Sequence, residues 1–207
     1  MLSRLFKTAN TDKKSESWLF GTMLVFAIVA FLAAFVLSVE KLEIIKNPDA
    51  QLSCSVNLVL NCASVMKTPQ ASVFGFPNSY IGVAGFAIVI AVAMGGLLGV
   101  KYTRSYLITA QVFYGLGLIF AYWLFFQSVY VIQILCPWCL VVTLATTIIF
   151  ETLLRYNLRH NNFGLDKKLN DRVQGFLDRD YDKLIVGVWL LAMTALVFLK
   201  FGEGLFA

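Results

Sequence analysis

The sequence predicts an all-α membrane protein: a four-helix transmembrane bundle, a fifth transmembrane helix, and a small outer cap segment. Three observations predict it. The 207-residue chain is 59% hydrophobic but only 14% charged, where a soluble domain carries roughly a quarter charged residues. Five segments approach the roughly 20 apolar residues that a membrane crossing needs. Thirteen of the seventeen basic residues fall on one side of the membrane if all five segments span it.

The segments are Trp18–Val39, Tyr80–Val100, Ser105–Val129, Trp138–Leu154 and Leu184–Phe201. A cleaved secretory signal is the alternative for the first. Its long polar lead, Met1–Ser17, and the lack of a clear Ala-x-Ala site favour an uncleaved helix. Gly95 and Gly99 in the second segment predict close helix packing. The basic residues Arg4, Lys7, Lys13 and Lys14, then Lys101 and Arg104, then seven between Arg155 and Lys183, mark the cytoplasmic side. The basic excess therefore reflects topology and indicates no nucleic-acid site.

Residues 1–17 read as a cytoplasmic N-terminal segment and 18–154 as the four-helix unit, with 40–79 as its outer cap loop. Residues 155–183 read as a basic amphipathic linker and 184–207 as the fifth helix with a short outer tail. In the cap, Ser53 or Ser55 is expected to cap a short helix over Val56–Met66, and Pro69, Gly75 and Pro77 to end regular structure before the second span. In the linker, Leu165, Leu169, Val173, Phe176 and Leu177 share one helical face. That pattern fits a surface-lying helix or a plain tether. Glu40, Glu43 and Asp49 read as solvated loop charges, His160 has no catalytic role, and the spans carry no buried charges.

Chemistry concentrates in four cysteines. Cys136-Pro137-Trp138-Cys139 lies inside a stretch without charge from Ser105 to Phe150, so this Cys-x-x-Cys sits near membrane depth. Pro137 suits the first position of a helix, which places Cys136 at the N-cap and Cys139 in the first turn. Unpaired N–H groups there favour a thiolate, while burial opposes it. Cys54 and Cys62 lie in the cap. On one unbroken helix their Cα atoms would be about 12 Å apart, beyond disulfide reach. Either Cys54 lies on a loop that folds back, or each cysteine pairs elsewhere. Structural disulfides and a four-thiolate zinc site are weaker readings than a redox relay, since the loop pair lacks the usual ligand spacing.

The order of these motifs is specific. A first helix and the pair Cys54/Cys62 are followed by Thr68-Pro69, then Phe76-Pro77-Asn78-Ser79-Tyr80-Ile81-Gly82, then Cys136-Pro137-Trp138-Cys139. Over Trp18 to Leu154 the chain resembles the vitamin K epoxide reductase family in its bacterial quinone-linked form. The four-helix bacterial disulfide oxidases place the two pairs in the opposite order. The resemblance implies that Cys136 and Cys139 are the active-site pair, with Cys139 facing the quinone. It implies that Cys62 exchanges with Cys136, that Cys54 meets a thioredoxin-like partner, and that Asn78 hydrogen-bonds a quinone carbonyl; helix N-capping is the other reading for Asn78. Thr68 stands where the family often has serine, and Thr143 where vertebrate members have tyrosine.

The expected function is a quinone-dependent thiol–disulfide oxidoreductase supporting disulfide formation outside the cytoplasm. Its quinone would be of the ubiquinone or menaquinone type. Its partner would be a separate thioredoxin-like protein, since no such domain follows the fifth helix. The expected location is a bacterial inner or cytoplasmic membrane, N-terminus inside and cysteines outside. The rivals are a reductive transmembrane electron conduit and a non-enzymatic protein with structural disulfides. Aromatic residues of the third span (Phe113, Tyr114, Phe120, Tyr122, Trp123, Phe125 and Phe126) are expected mostly to face lipid or neighbouring helices, with some lining a quinone pocket.

Overall fold

A computed structural model describes residues 2–48, 52, 54–55, 57 and 59–205, with side chains for 16–48, 52, 54, 55, 57 and 59–202. Ser53, Val56 and Asp49 lie outside the described residues, as do the side chains of Arg4, Lys7, Lys13 and Lys14. Helix α1 runs Leu2–Lys46, α2 Cys62–Met66, α3 Asn78–Leu97, α4 Arg104–Phe126, α5 Pro137–Arg159, α6 Lys167–Asp178 and α7 Tyr181–Leu205. Among the described residues, five helical stretches are long and apolar enough to cross a membrane: Glu16–Lys46, Asn78–Leu97, Arg104–Ile132, Pro137–Arg159 and Tyr181–Gly202. The chain is an all-α integral membrane protein. Each expected span lies within or largely overlaps one of these.

Helices α1, α3, α4 and α5 form the bundle. Without a hydrophobic force between helices in lipid, close packing holds them together, and small residues permit it. Ala27, Ala30 and Ala33 of α1 are fully buried. A Cβ on Gly82 of α3 would stand 3.0 Å from Ala34 Cβ, and one on Gly96 would press into the Phe20 ring. The expected packing pair Gly95/Gly99 is half corrected. Gly95 lies beneath the Tyr102 hydroxyl, which donates to Val92 O. Gly99 has φ +87° with open space around its Cα, so it is a turn glycine that ends α3.

The threonine hydroxyls of α5 are satisfied locally, as apolar surroundings require. Thr143, Thr146, Thr147 and Thr152 of α5 each donate to the carbonyl four residues back. Tyr122 of α4 bonds Thr147 and accepts from Trp189 of α7, which ties the fifth span to the bundle.

The end of the bundle carrying the basic loops is polar and heavily paired. Asn157 is fully buried and donates to Gln111 Oε1 at 3.1 Å. Arg155, nine-tenths buried, binds Asp180 at 2.7 Å and also Asp182. Glu151 has one carboxylate oxygen buried without a hydrogen-bond partner. The expectation of spans without buried charge is therefore wrong: Arg155 is buried within the Pro137–Arg159 stretch, and the half-buried Glu151 lies inside the fourth span. It joins a cluster at one end of the bundle, where Arg155 offsets three carboxylates, and marks no path through the helices. His160 is in this region too, against Glu16. In the linker, Leu177 is buried while Leu169 and Phe176 are exposed, so the expected apolar face is only partly covered by protein.

The cap departs from its expected helix. Among the described residues of the cap, regular α-helix covers Cys62–Met66, and its N-cap is Asn61, whose side chain accepts from Ser64 N. Ser55 instead hydrogen-bonds that Asn61 side chain. Asn57 explains the break: its Oδ1 accepts from the backbone N–H groups of Val59 and Leu60, turning the chain back on itself. A second device fixes the turn in space. Leu135 N donates to Val59 O and Asn61 N donates to Leu135 O. Leu135 is brought there by a π-helical turn, Gln127–Ile132, that closes on Gln133 in the left-handed region.

Candidate active site

Those backbone bonds set the residues before Cys62 against the residue before Cys136. The consequence is a line of sulfur atoms. Cys54 and Cys62 are disulfide-bonded, with Cα atoms 5.6 Å apart. The fold-back alternative holds, because Asn57 and not a helix governs the chain between them. Cys62 Sγ is 3.5 Å from Cys136 Sγ, and Cys136 Sγ is 2.7 Å from Cys139 Sγ. Cys136 and Cys139 are free thiols. Cys136 is the N-cap of α5 with Pro137 in the first turn, and its sulfur accepts from Cys139 N at 3.3 Å. The sulfur thus occupies a hydrogen-bonded N-cap position.

The line ends on a cavity. About 790 Å³ of space lies between α1, α3, α4 and α5, and Cys136, Cys139, Asn78, Thr143, Tyr114 and Phe120 are on its wall. Its lining is overwhelmingly apolar and its size suits a ring compound with a tail. Phe113, Tyr114, Phe120 and Phe125 of the α4 aromatics line it, more than expected, while Trp123 and Phe126 are exposed. Tyr122 faces Trp189 instead. Trp138 packs on the sulfur cluster.

Asn78 stands at the first residue of α3, after Pro77 as N-cap. It does not cap the helix. Its Oδ1 accepts from Val73 N at 3.1 Å and its Nδ2 donates to Gln70 O at 2.7 Å. The amide therefore fixes the preceding loop, and an amide nitrogen carries a second hydrogen beyond the one Gln70 takes. Nearby, Ser38 of α1 donates to Ser79 at 2.9 Å and locks α1 to α3 beside the cavity. Thr68 donates to Val65 O, and Thr143 to Cys139 O.

A family model, that of the vitamin K epoxide reductase family, matches residues 22–154. The chain belongs to the vitamin K epoxide reductase family. No curated protein matches it closely. Family membership makes this a membrane thiol–disulfide oxidoreductase, and members of the family are quinone-linked in general. The residues present fit a quinone: the cavity is apolar, a free thiol and an amide donor are on its wall, and the Tyr114 hydroxyl on that wall is buried without a partner.

Two polar groups escaped the reading of the sequence. One is the Tyr114 hydroxyl, hidden among seven aromatics. The other is Glu40, expected as a solvated loop charge. Its residue is 93% buried, and Oε2 lies 3.1 Å from Cys54 Sγ. The helix carries on through it to Lys46, and Ala33, Leu37, Glu40 and Ile44, spaced four, three and four apart, are all buried. That periodicity was the available signal. Glu40 with Cys54 and Cys62 also gathers a carboxylate oxygen and two sulfurs within 4.8 Å, but the sulfurs are bonded to each other.

Proposed function

We propose that the protein is a quinone-linked oxidase of a thioredoxin-like partner, supporting disulfide formation outside the cytoplasm. The observation that carries the reading is the continuous sulfur line: Cys62 lies 3.5 Å from Cys136, and Cys139 is on the wall of an apolar cavity. The partner's dithiol reduces Cys54–Cys62. The Cys62 thiolate attacks Cys136 in an oxidised Cys136–Cys139 pair, and Cys139 leaves as thiolate. Cys54 then attacks Cys62, closing the outer bond again and releasing Cys136. A bound quinone supplies the two-electron sink. Cys139 presents the reduced sulfur to the cavity, Asn78 orients a carbonyl oxygen with its second amide hydrogen, and the aromatic wall excludes water.

In this reading the catalytic unit is residues 18–154, residues 155–183 link it to the fifth helix of 184–207, and residues 1–17 face the cytoplasm. The cysteine end faces outward in a bacterial cytoplasmic membrane, by the distribution of basic residues. The test is quinone consumption by the purified protein in detergent, with a reduced thioredoxin-like protein as donor. Wild type consumes quinone, and Cys139→Ser abolishes consumption while remaining folded. Consumption unchanged in Cys139→Ser removes Cys139 as the terminal thiol.

A further inference from the structure

The relay leaves one question of chemistry open. Thiol–disulfide exchange runs through thiolates, so each outer cysteine must lose a proton before it attacks and regain one after it leaves. Cys54 is 5% exposed, Cys62 is fully buried and Glu40 is 7% exposed. Bulk water is therefore poorly placed to collect the proton. The nearest acceptor that the geometry offers Cys54 is the Glu40 carboxylate, with Oε2 3.1 Å from Sγ, inside the reach of a catalytic proton transfer. In the oxidised protein that sulfur carries no hydrogen, so the contact has its chemical use in the reduced pair. Glu40 is fixed there by α1, whose Leu37 and Ile44 belong to the same buried cluster as Cys54, Cys62 and Cys136.

We propose that Glu40 is the proton carrier of the outer dithiol, taking the Cys54 proton when that thiol attacks and returning it when Cys54 leaves. The inference rests on the relay described under "Proposed function" and assigns it a further catalytic residue. In the internal step, Cys54–SH gives its proton to the Glu40 carboxylate. The Cys54 thiolate attacks Cys62 in the Cys62–Cys136 mixed disulfide. The Cys54–Cys62 bond forms, the Cys62–Cys136 bond breaks, and Cys136 leaves as thiolate with the electron pair. In the partner step, a partner thiolate attacks Cys54 in the Cys54–Cys62 bond, and Cys62 leaves as thiolate. The partner's second thiolate then attacks the partner sulfur of the mixed disulfide. Cys54 leaves as thiolate and recovers its proton from the Glu40 carboxyl. The partner is oxidised by two electrons and the outer pair reduced by two.

The experiment follows closure of the outer bond without using a quinone. The full-length protein is reduced, freed of reductant, and given hydroxyethyl disulfide. Cys54–Cys62 formation is then timed by acid quench, alkylation and peptide mass spectrometry. Whichever thiol attacks first, Cys54 must lose its proton before the bond closes. Glu40→Gln, neutral and of equal size, is expected to slow closure by about 100-fold, the scale of a lost proton carrier. Glu40→Asp is expected to recover part of the rate, which a merely space-filling residue would not. Closure in Glu40→Gln within twofold of wild type overturns the inference, whatever the quinone assay gives. Wild type that consumes no quinone, while Glu40→Gln still closes slowly, overturns the relay and leaves Glu40 in its role. Should Glu40→Gln fail to fold, wild type alone decides by infrared difference spectroscopy. A carboxylate band must shift when the outer pair is reduced, and an unchanged carboxylate region overturns the inference.

Discussion

The two ends of the bundle are built by opposite means. At the basic end, ionic and amide groups lock one another: Arg155 holds Asp180 and Asp182, Asn157 holds Gln111, and Arg159 holds Asp178. These pairs tie α4, α5, α6 and α7 together there. At the cysteine end, by contrast, backbone bonds, neutral side chains and the Lys41 bond to Met66 O do the positioning, and the reactive groups are sulfurs that lie within reach of more than one partner. Cys62 is bonded to Cys54 yet 3.5 Å from Cys136. A relay needs such exchangeable contacts, and their register is set by the backbone pairing of Leu135 with Val59 and Asn61. The difference is one of division of labour: ion pairs join helices at the basic end, and at the cysteine end the sulfurs are set beside one another and beside the buried Glu40 carboxylate.

The comparison breaks most visibly at Arg155. Substituting Arg155→Leu leaves the partly buried Asp182 carboxylate without its bonded cation and takes one nearby cation from Glu151. Removing one partner of a buried ion pair costs about 3–5 kcal/mol. Thermal unfolding in detergent should fall accordingly, with the α6–α7 corner loosening first, because Arg155 joins α5 to Leu177 O, Asp180 and Asp182 there. Quinone turnover per folded molecule should stay near wild type. A variant with unchanged melting but lost turnover would show that the charged end takes part in the chemistry, and the contrast between the ends would fail.

A smaller effect on stability, with a larger one on chemistry, is expected from Asn61→Ala. Losing the cap of α2 costs about 1 kcal/mol. The same side chain holds Ser55 and Ser64 N in the turn that presents Cys62 to Cys136. Transfer from the outer pair to Cys136/Cys139, followed by rapid quench and alkylation, should slow by about tenfold, since small misplacements of reacting groups are costly. Transfer at the wild-type rate would mean that the Leu135 backbone pairing alone sets the register.

How much of this was legible in the sequence follows the same division. Spans, their order and the Cys136 N-cap were readable, because hydropathy, the positive-inside pattern and Pro137 are local signals. The basic-end cluster was not, because Glu151 and Arg155 look like span-edge charges until α6 and α7 fold back onto them. The cap was misread for a different reason. Val56–Met66 has helical composition, and two asparagines override it: Asn57 turns the chain and Asn61 restarts it. Glu40 was lost by ending the first helix at Val39, although the buried spacing continues to Ile44. The cysteine order was recognisable as that of a known family, but the 3.5 Å approach of Cys62 to Cys136 depends on Leu135 pairing with Val59 and Asn61, which no local pattern encodes.

The smallest effect tests whether position beside the thiol is enough to matter. Thr143 lines the cavity one turn after Cys139, a location that invites a role with bound quinone. Its hydroxyl, however, donates to Cys139 O at 2.9 Å, the usual way a threonine satisfies itself within a helix. Thr143→Ala removes that bond, yet the carbonyl it releases remains in the helical ladder. Quinone turnover and melting temperature should both change little, by less than about twofold in rate and within about 0.5 kcal/mol in stability, as for substitutions away from critical features. Steady-state kinetics with varied quinone separates the outcomes. A KM raised tenfold at unchanged kcat would place the Thr143 hydroxyl on the quinone. The polar contribution to binding would then come from α5 as well as from Asn78, and the picture of a largely apolar cavity wall would have to be redrawn.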